Sequence, residues 1–240
     1  MVANSPEIFG SPDARVDARS TTVIRCILSM QNATTTLRAL NPALRITTDA
    51  SYRDMYYMGW GYGEDTLATP LRNSMQPLVD SLYQAWVNPS RFVKTIIADS
   101  AYAATQVNGL QLMRDVFGLA GNMQSHRQWQ DTNLFCLFTP DELFGLWRAR
   151  NAYWYVTWGG APQNGRRMPY IERALLRDMI ATADSAIAGG TLGAHLRYGH
   201  ETCVLPLACL LEIDSVDSQC RDLDSLHLHW QDYNIIPKAC

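Results

Sequence analysis

With 20 Lys and Arg against 23 Asp and Glu, this 240-residue chain has a formal charge of −3. That argues against a general nucleic-acid binder, which carries a basic stripe. Hydrophobic residues at 47% and charged ones at 18% describe a globular protein with a sizeable core, of one large domain or two small ones. No apolar run approaches the ~20 residues of a membrane span, and Met1-Val2-Ala3-Asn4-Ser5-Pro6 lacks the basic start and apolar stretch of a signal peptide.

From the N-terminus, Ser20 or Thr21 is placed to cap a helix carrying Val23, Ile24, Ile27, Leu28, Leu37 and Leu40, which Asn41-Pro42 ends. Leu44 and Ile46 alternate with polar neighbours as in a short strand. Residues 49–66, with Tyr52, Tyr56, Tyr57, Trp60 and Tyr62 among Gly59, Gly61 and Gly63, read as an irregular connection with some helix. Pro70 opens a helical pattern through Leu71, Leu78, Val79, Leu82 and Trp86, stopped by Asn88-Pro89.

Consecutive helices are predicted between 91 and 156. Thr139-Pro140-Asp141-Glu142 is a helix start, with proline in the first turn and two acids beside the positive end of the dipole. Residues 159–169 read as a loop, and Pro169 to Ala188 as the clearest helix, ended by Gly189-Gly190. Ala194, Leu196 and Tyr198 then alternate as a strand that stops at Gly199, and Val204, Leu205, Leu207, Ala208 and Leu211 resume helical spacing. The pattern supports a mainly helical α/β protein.

His200 and Glu201 therefore sit where a strand ends and a helix begins. In open α/β sheets that is where ligands bind, beside helix N-termini whose free N–H groups favour anions. An imidazole and a carboxylate there suggest one group that holds a phosphate and one that moves a proton. The bland alternatives are a satisfied, half-buried histidine and a first-turn acid that only favours the dipole. Arg19, ahead of Ser20-Thr21, offers a planar fork of donors suited to bidentate phosphate binding. Alone, a solvated surface arginine is the commoner case.

Leu196-Arg197-Tyr198-Gly199-His200-Glu201-Thr202 resembles the C-terminal signature of the histidine acid phosphatases, the group that includes phytases and multiple inositol polyphosphate phosphatases. Arg19-Ser20-Thr21-Thr22-Val23-Ile24-Arg25-Cys26-Ile27-Leu28-Ser29 is similar to that family's Arg-Ser-Thr-x-x-x-Arg-x-x-x-Ser block. A third stretch, Leu143 to Trp158 followed by Leu175-Leu176-Arg177-Asp178-Met179, resembles its helical region. The resemblance implies a sheet domain with a large helical domain inserted: residues 1–48 and 190–240 belong to the α/β part, and 49–189 to the insertion. It also implies hydrolysis of phosphomonoesters through a phosphohistidine, with Arg19 and His200 binding phosphate and Glu201 protonating the leaving oxygen. Arg25 matches a second family arginine and is assigned a structural part. The expected partner is a phosphorylated small molecule, inositol phosphates among the candidates, with no cofactor and no catalytic metal. A periplasmic or secreted location is expected on the same ground.

Two departures matter. Family relatives carry His-Asp or His-Ala-Glu at the C-terminal signature, whereas this chain has His-Glu. The attacking histidine of the family lies in an Arg-His-Gly-x-Arg-x-Pro motif, and none of His126, His195, His200, His227 and His229 stands in that setting. The expectation is a fragment that carries half of an active site, inactive alone. The alternative is a non-catalytic phospholigand-binding module on the same scaffold.

The remaining candidates read as structural. Six cysteines (Cys26, Cys136, Cys203, Cys209, Cys220, Cys240) have no C-x-x-C spacing, which disfavours zinc. Cys26, Cys203 and Cys209 fall in apolar contexts as small buried hydrophobes, and a disulfide among the others stays open. The aromatic clusters at 52–62 and 153–158 are core packing or a pocket lining, the former being commoner. Arg166-Arg167 is a solvated pair or a contact for extra phosphates. His227 and His229 have no third ligand at suitable spacing.

Overall fold

The structure, a computed structural model, describes residues 2–11, 14–59, 67–123, 131–189 and 193–235. Trp60, Gly61, Tyr62 and Gly63 of the aromatic tract, His126, Gly190 and Cys240 lie outside these. In chain order, α1 (Pro6–Phe9) leads to β1 (Arg15–Ser20), α2 (Ile24–Leu40), β2 (Arg45–Ala50) and α3 (Tyr52–Met58). Then come α4 (Ala68–Trp86), α5 (Ser90–Ile96), α6 (Ser100–Gln106), α7 (Gly109–Asn122), α8 (Pro140–Trp158) and α9 (Arg173–Gly189). β3 (Gly193–Tyr198) precedes α10 (Glu201–Leu210) and two single turns, α11 (Leu226–His229) and α12 (Asp232–Ile235).

The fold is mixed α/β and mostly helical around one small parallel sheet in the order β2-β1-β3. Parallel neighbours need a crossover. Helix α2 supplies it between β1 and β2, and everything from α3 to α9 lies within the connection from β2 to β3. The register runs from Arg15 opposite Arg45 and Gly193 to Ser20 opposite Ala50 and Tyr198. All three strands therefore end at one edge. Period-two alternation buries Val16, Ala18 and Ser20 and leaves Asp17 and Arg19 on the other face. Val16 packs with Phe9, Ala14, Leu37 and Leu44 in a small core on the sheet.

A larger core lies among the helices. Where the end of α4 meets α8, a Cβ on Gly145 would collide with the carbonyl oxygen of Trp86, so only glycine allows that contact. Phe92 stacks on Phe138 with ring centroids 4.7 Å apart. The aromatic run of α8 is core, with Trp154, Tyr155 and Trp158 buried. Leu205 and Cys209 of α10 and Leu226 and Trp230 beyond it join the same core. Buried Asn151 fixes that last segment, donating to the Trp230 carbonyl at 2.9 Å and accepting from the Asp232 amide at 2.7 Å.

The start of α8 follows the sequence reading. Thr139 accepts from the Glu142 amide at 3.3 Å, and Glu142 accepts from the Thr139 amide at 2.8 Å, closing a capping box. Thr139→Ala is expected to lower unfolding stability by about 1 kcal/mol, read as a shift in urea midpoint at unchanged m-value.

The start of α2 departs from it. Neither Ser20 nor Thr21 caps the helix, whose N-cap is Val23 without a side-chain bond. Ser20 is still strand, its hydroxyl donating to the Thr21 carbonyl at 2.8 Å, and the Thr21 hydroxyl faces His200. The long helix after the glycine loop begins at Arg173 rather than Pro169, because Met168–Glu172 is wound as a tighter 3₁₀ turn. Arg166 is not merely solvated. It pairs with Asp217.

Candidate functional site

Two polar clusters occupy the carboxyl edge of the sheet. The first follows from strand alternation. Asp17 and Arg19 share a face of β1, and the register sets His195 and Arg197 of β3 beside them. Asp17 is held by Arg19 Nε at 2.9 Å, Arg197 Nη1 at 3.2 Å and His195 Nδ1 at 3.5 Å. Arg197 also reaches Asp178 of α9 at 3.4 Å. Arg19 Nη1 lies 3.6 Å from Asp54 of α3, a fully buried carboxylate that also accepts from Tyr57 Oη at 2.8 Å and Ser51 Oγ at 3.3 Å. Burial pushes the Asp17 carboxyl up, but the Arg19 hydrogen bond and the charges of Arg19, Arg197 and His195 outweigh it and hold it below the usual range. Burial and then the Asp54 contact push the Tyr57 hydroxyl up to about 12. The charges of this cluster are matched inside it.

The second cluster centres on His200, the N-cap of α10, whose ring makes no cap bond. Its Nδ1 lies 3.1 Å from Arg25 Nη2, and its Nε2 lies 3.3 Å from Thr21 Oγ1. Arginine only donates, so Nδ1 is the acceptor and the neutral ring carries its proton on Nε2, directed at the Thr21 hydroxyl. The buried thiol of Cys26 donates to the Gly199 carbonyl at 3.2 Å and lies 4.0 Å from Nδ1. Burial first, then the Arg25 charge, lowers the His200 pKa from its ordinary value of 6.5, against a smaller upward pull from Glu201. Glu201 is exposed at the first position of α10. Among the described residues, no carboxylate pairs with Arg25 and no cation pairs with Glu201.

The sequence-predicted residues thus share one edge of the sheet in two separate settings. Arg19 is one residue from the end of β1, and His200 is two residues past the end of β3. Arg19 is engaged by carboxylates, while the guanidinium that touches His200 belongs to Arg25, for which sequence reading gave only a structural part. Its signal was present: Arg25 is in the first turn of the helix after β1, and β1 is the strand beside β3. Cys26, Cys203 and Cys209 are buried, as their apolar contexts suggested, and Cys136 and Cys220 are free thiols. His227 lies edge-on to Phe144, ring centroids 5.4 Å apart. Among the described residues, no group of three or more metal-ligating side chains converges and no helix is long and apolar enough to cross a membrane.

Compared with known families and with curated proteins, the chain matches none.

Proposed function

We propose that the His200 edge is a phosphate site serving phosphomonoester hydrolysis of the histidine acid phosphatase type. One observation carries the reading. Arg25, without a carboxylate partner among the described residues, is held against His200 where the N-termini of α2 and α10 meet, at the carboxyl edge of adjacent parallel strands. Helix N-termini, a guanidinium fork and an imidazole are each groups that favour an oxyanion, and their proximity supports the reading. In this reading Arg25 and His200 clamp the phosphate. Arg19, committed to Asp17 and Asp54, shapes the edge beside them. An arriving dianion would draw a proton onto His200 and release Arg25 from the ring, so that both donate to phosphate oxygens.

Glu201, one residue on and exposed, is the proton donor to the leaving oxygen. In the histidine acid phosphatase scheme the histidine of an Arg-His-Gly motif would attack phosphorus, the bond to the leaving oxygen would break as that oxygen takes the Glu201 proton, and water would then hydrolyse the phosphohistidine. His200 is not free for the attack in this scheme, and no Arg-His-Gly sequence exists among the 240 residues. The expected result for this 240-residue chain is phosphate binding without turnover. The assay is aryl phosphate hydrolysis at pH 5 by the purified protein, beside calorimetric titration with orthophosphate. Turnover that vanishes in His200→Ala would overturn the division of roles, and absence of orthophosphate binding would overturn the site.

A further inference from the structure

His200 belongs to two environments. Its ring meets Arg25 and Thr21, and the residue also lines a cleft of ≈ 420 Å³ between β3, α9 and α10. The size is that of a small-molecule site. Its walls are mainly apolar, with Met58, Leu175, Met179, Val204 and Leu207 among them. Met179 and Val204 remain 44% and 54% exposed, so apolar surface on both helical walls stands open to water. The charged groups in the wall are matched: Arg197 by Asp17 and Asp178, and His195 by Asp17. His200, which lines this cleft, also touches Arg25, a cation outside the lining with no carboxylate on it among the described residues.

We propose that the site takes phosphomonoesters with an alkyl body, the phosphate held by Arg25 and His200 and the chain along the cleft. This rests on the phosphate reading above and narrows it. The same walls suit a ring bearing several phosphates less well, since the basic groups among them, Arg197 and His195, are already engaged by Asp17 and Asp178 and the rest of the lining is mainly apolar. Arg166, the candidate for such contacts, is held by Asp217 and lines a different cavity with Glu212 and Asp214.

The test is calorimetric titration of the whole chain with orthophosphate, methyl phosphate, butyl phosphate and octyl phosphate. A fully buried methylene strengthens binding about fourfold, and with partial burial octyl phosphate should bind at least about 50-fold tighter than methyl phosphate. Ala183→Trp, at an exposed position of α9 that lines the cleft, should erase most of that gain and leave orthophosphate affinity unchanged. Octyl and methyl phosphate binding equally, with orthophosphate still bound, would overturn the alkyl proposal and leave the phosphate site standing. Octanol binding as tightly as octyl phosphate, with no affinity for orthophosphate, would overturn the phosphate reading and the proposal with it.

Discussion

Replacing Arg25 by alanine is expected to weaken orthophosphate binding by at least about tenfold with the fold intact. The guanidinium is exposed, and its described contact is the His200 ring, so its removal strands no buried charge. A hydrogen bond between charged groups contributes ~1.5–3 kcal/mol, or roughly 10- to 150-fold in affinity. Arg25→Lys keeps the charge but loses the fork and should fall between the two. Calorimetry at low salt measures the affinity, and thermal unfolding without ligand checks the fold. Unchanged affinity in Arg25→Ala would remove this arginine from the site.

Arg19→Met should behave in the opposite way, costing stability and sparing phosphate. The substitution leaves the fully buried Asp54 with Tyr57 and Ser51 as its side-chain donors among the described residues and takes the nearest cation from Asp17. Breaking a buried ion pair from one side costs about 3–5 kcal/mol. Arg19 is partly exposed and its Asp54 contact is 3.6 Å, so about 2–3 kcal/mol is expected. Pairing it with Asp54→Asn, which removes the stranded charge, should recover part of the loss. Urea unfolding at pH 7 reads both. If Arg19→Met instead kept full stability and lost phosphate binding, Arg19 rather than Arg25 would be the clamp.

Much of this architecture was legible wherever local chemistry and tertiary packing agree. The capping box at Thr139 and Glu142 needs only neighbours in sequence, and the alternation of Ala194, Leu196 and Tyr198 states which face of β3 is apolar. The placement of His200 between β3 and α10 follows from the same two periodicities. The start of α2 was not legible, because Ser20 and Thr21 are good caps by type but are claimed by the strand and by His200. The part played by Arg25 was hidden for a similar reason. An outward arginine in a first helical turn looks like any surface charge until the sheet register sets the end of β3 beside β1. For Arg19 the sequence held half the answer: Asp17, two residues before it on a strand, shares its face, whereas Asp54 arrives only through packing of α3. The irregular C-terminal segment carries no periodicity, so the burial of Trp230 against α8 could not be read from it.

His200 and Arg25 are proposed to receive a phosphate together. The most direct measurement is the ring ¹⁵N and ¹³C resonances of His200 followed against pH, with and without saturating orthophosphate, using His200→Gln for assignment. Without ligand the ring should be the neutral Nε2–H form, titrating below the ordinary histidine value of 6.5 because burial and Arg25 disfavour its charge. With phosphate bound, the dianion favours the imidazolium, and the pKa should rise above that value. Linkage then requires binding to tighten as the pH falls from 8 towards 6 in the wild type more than in His200→Gln. A His200 ring whose titration is the same with and without phosphate would contradict the account.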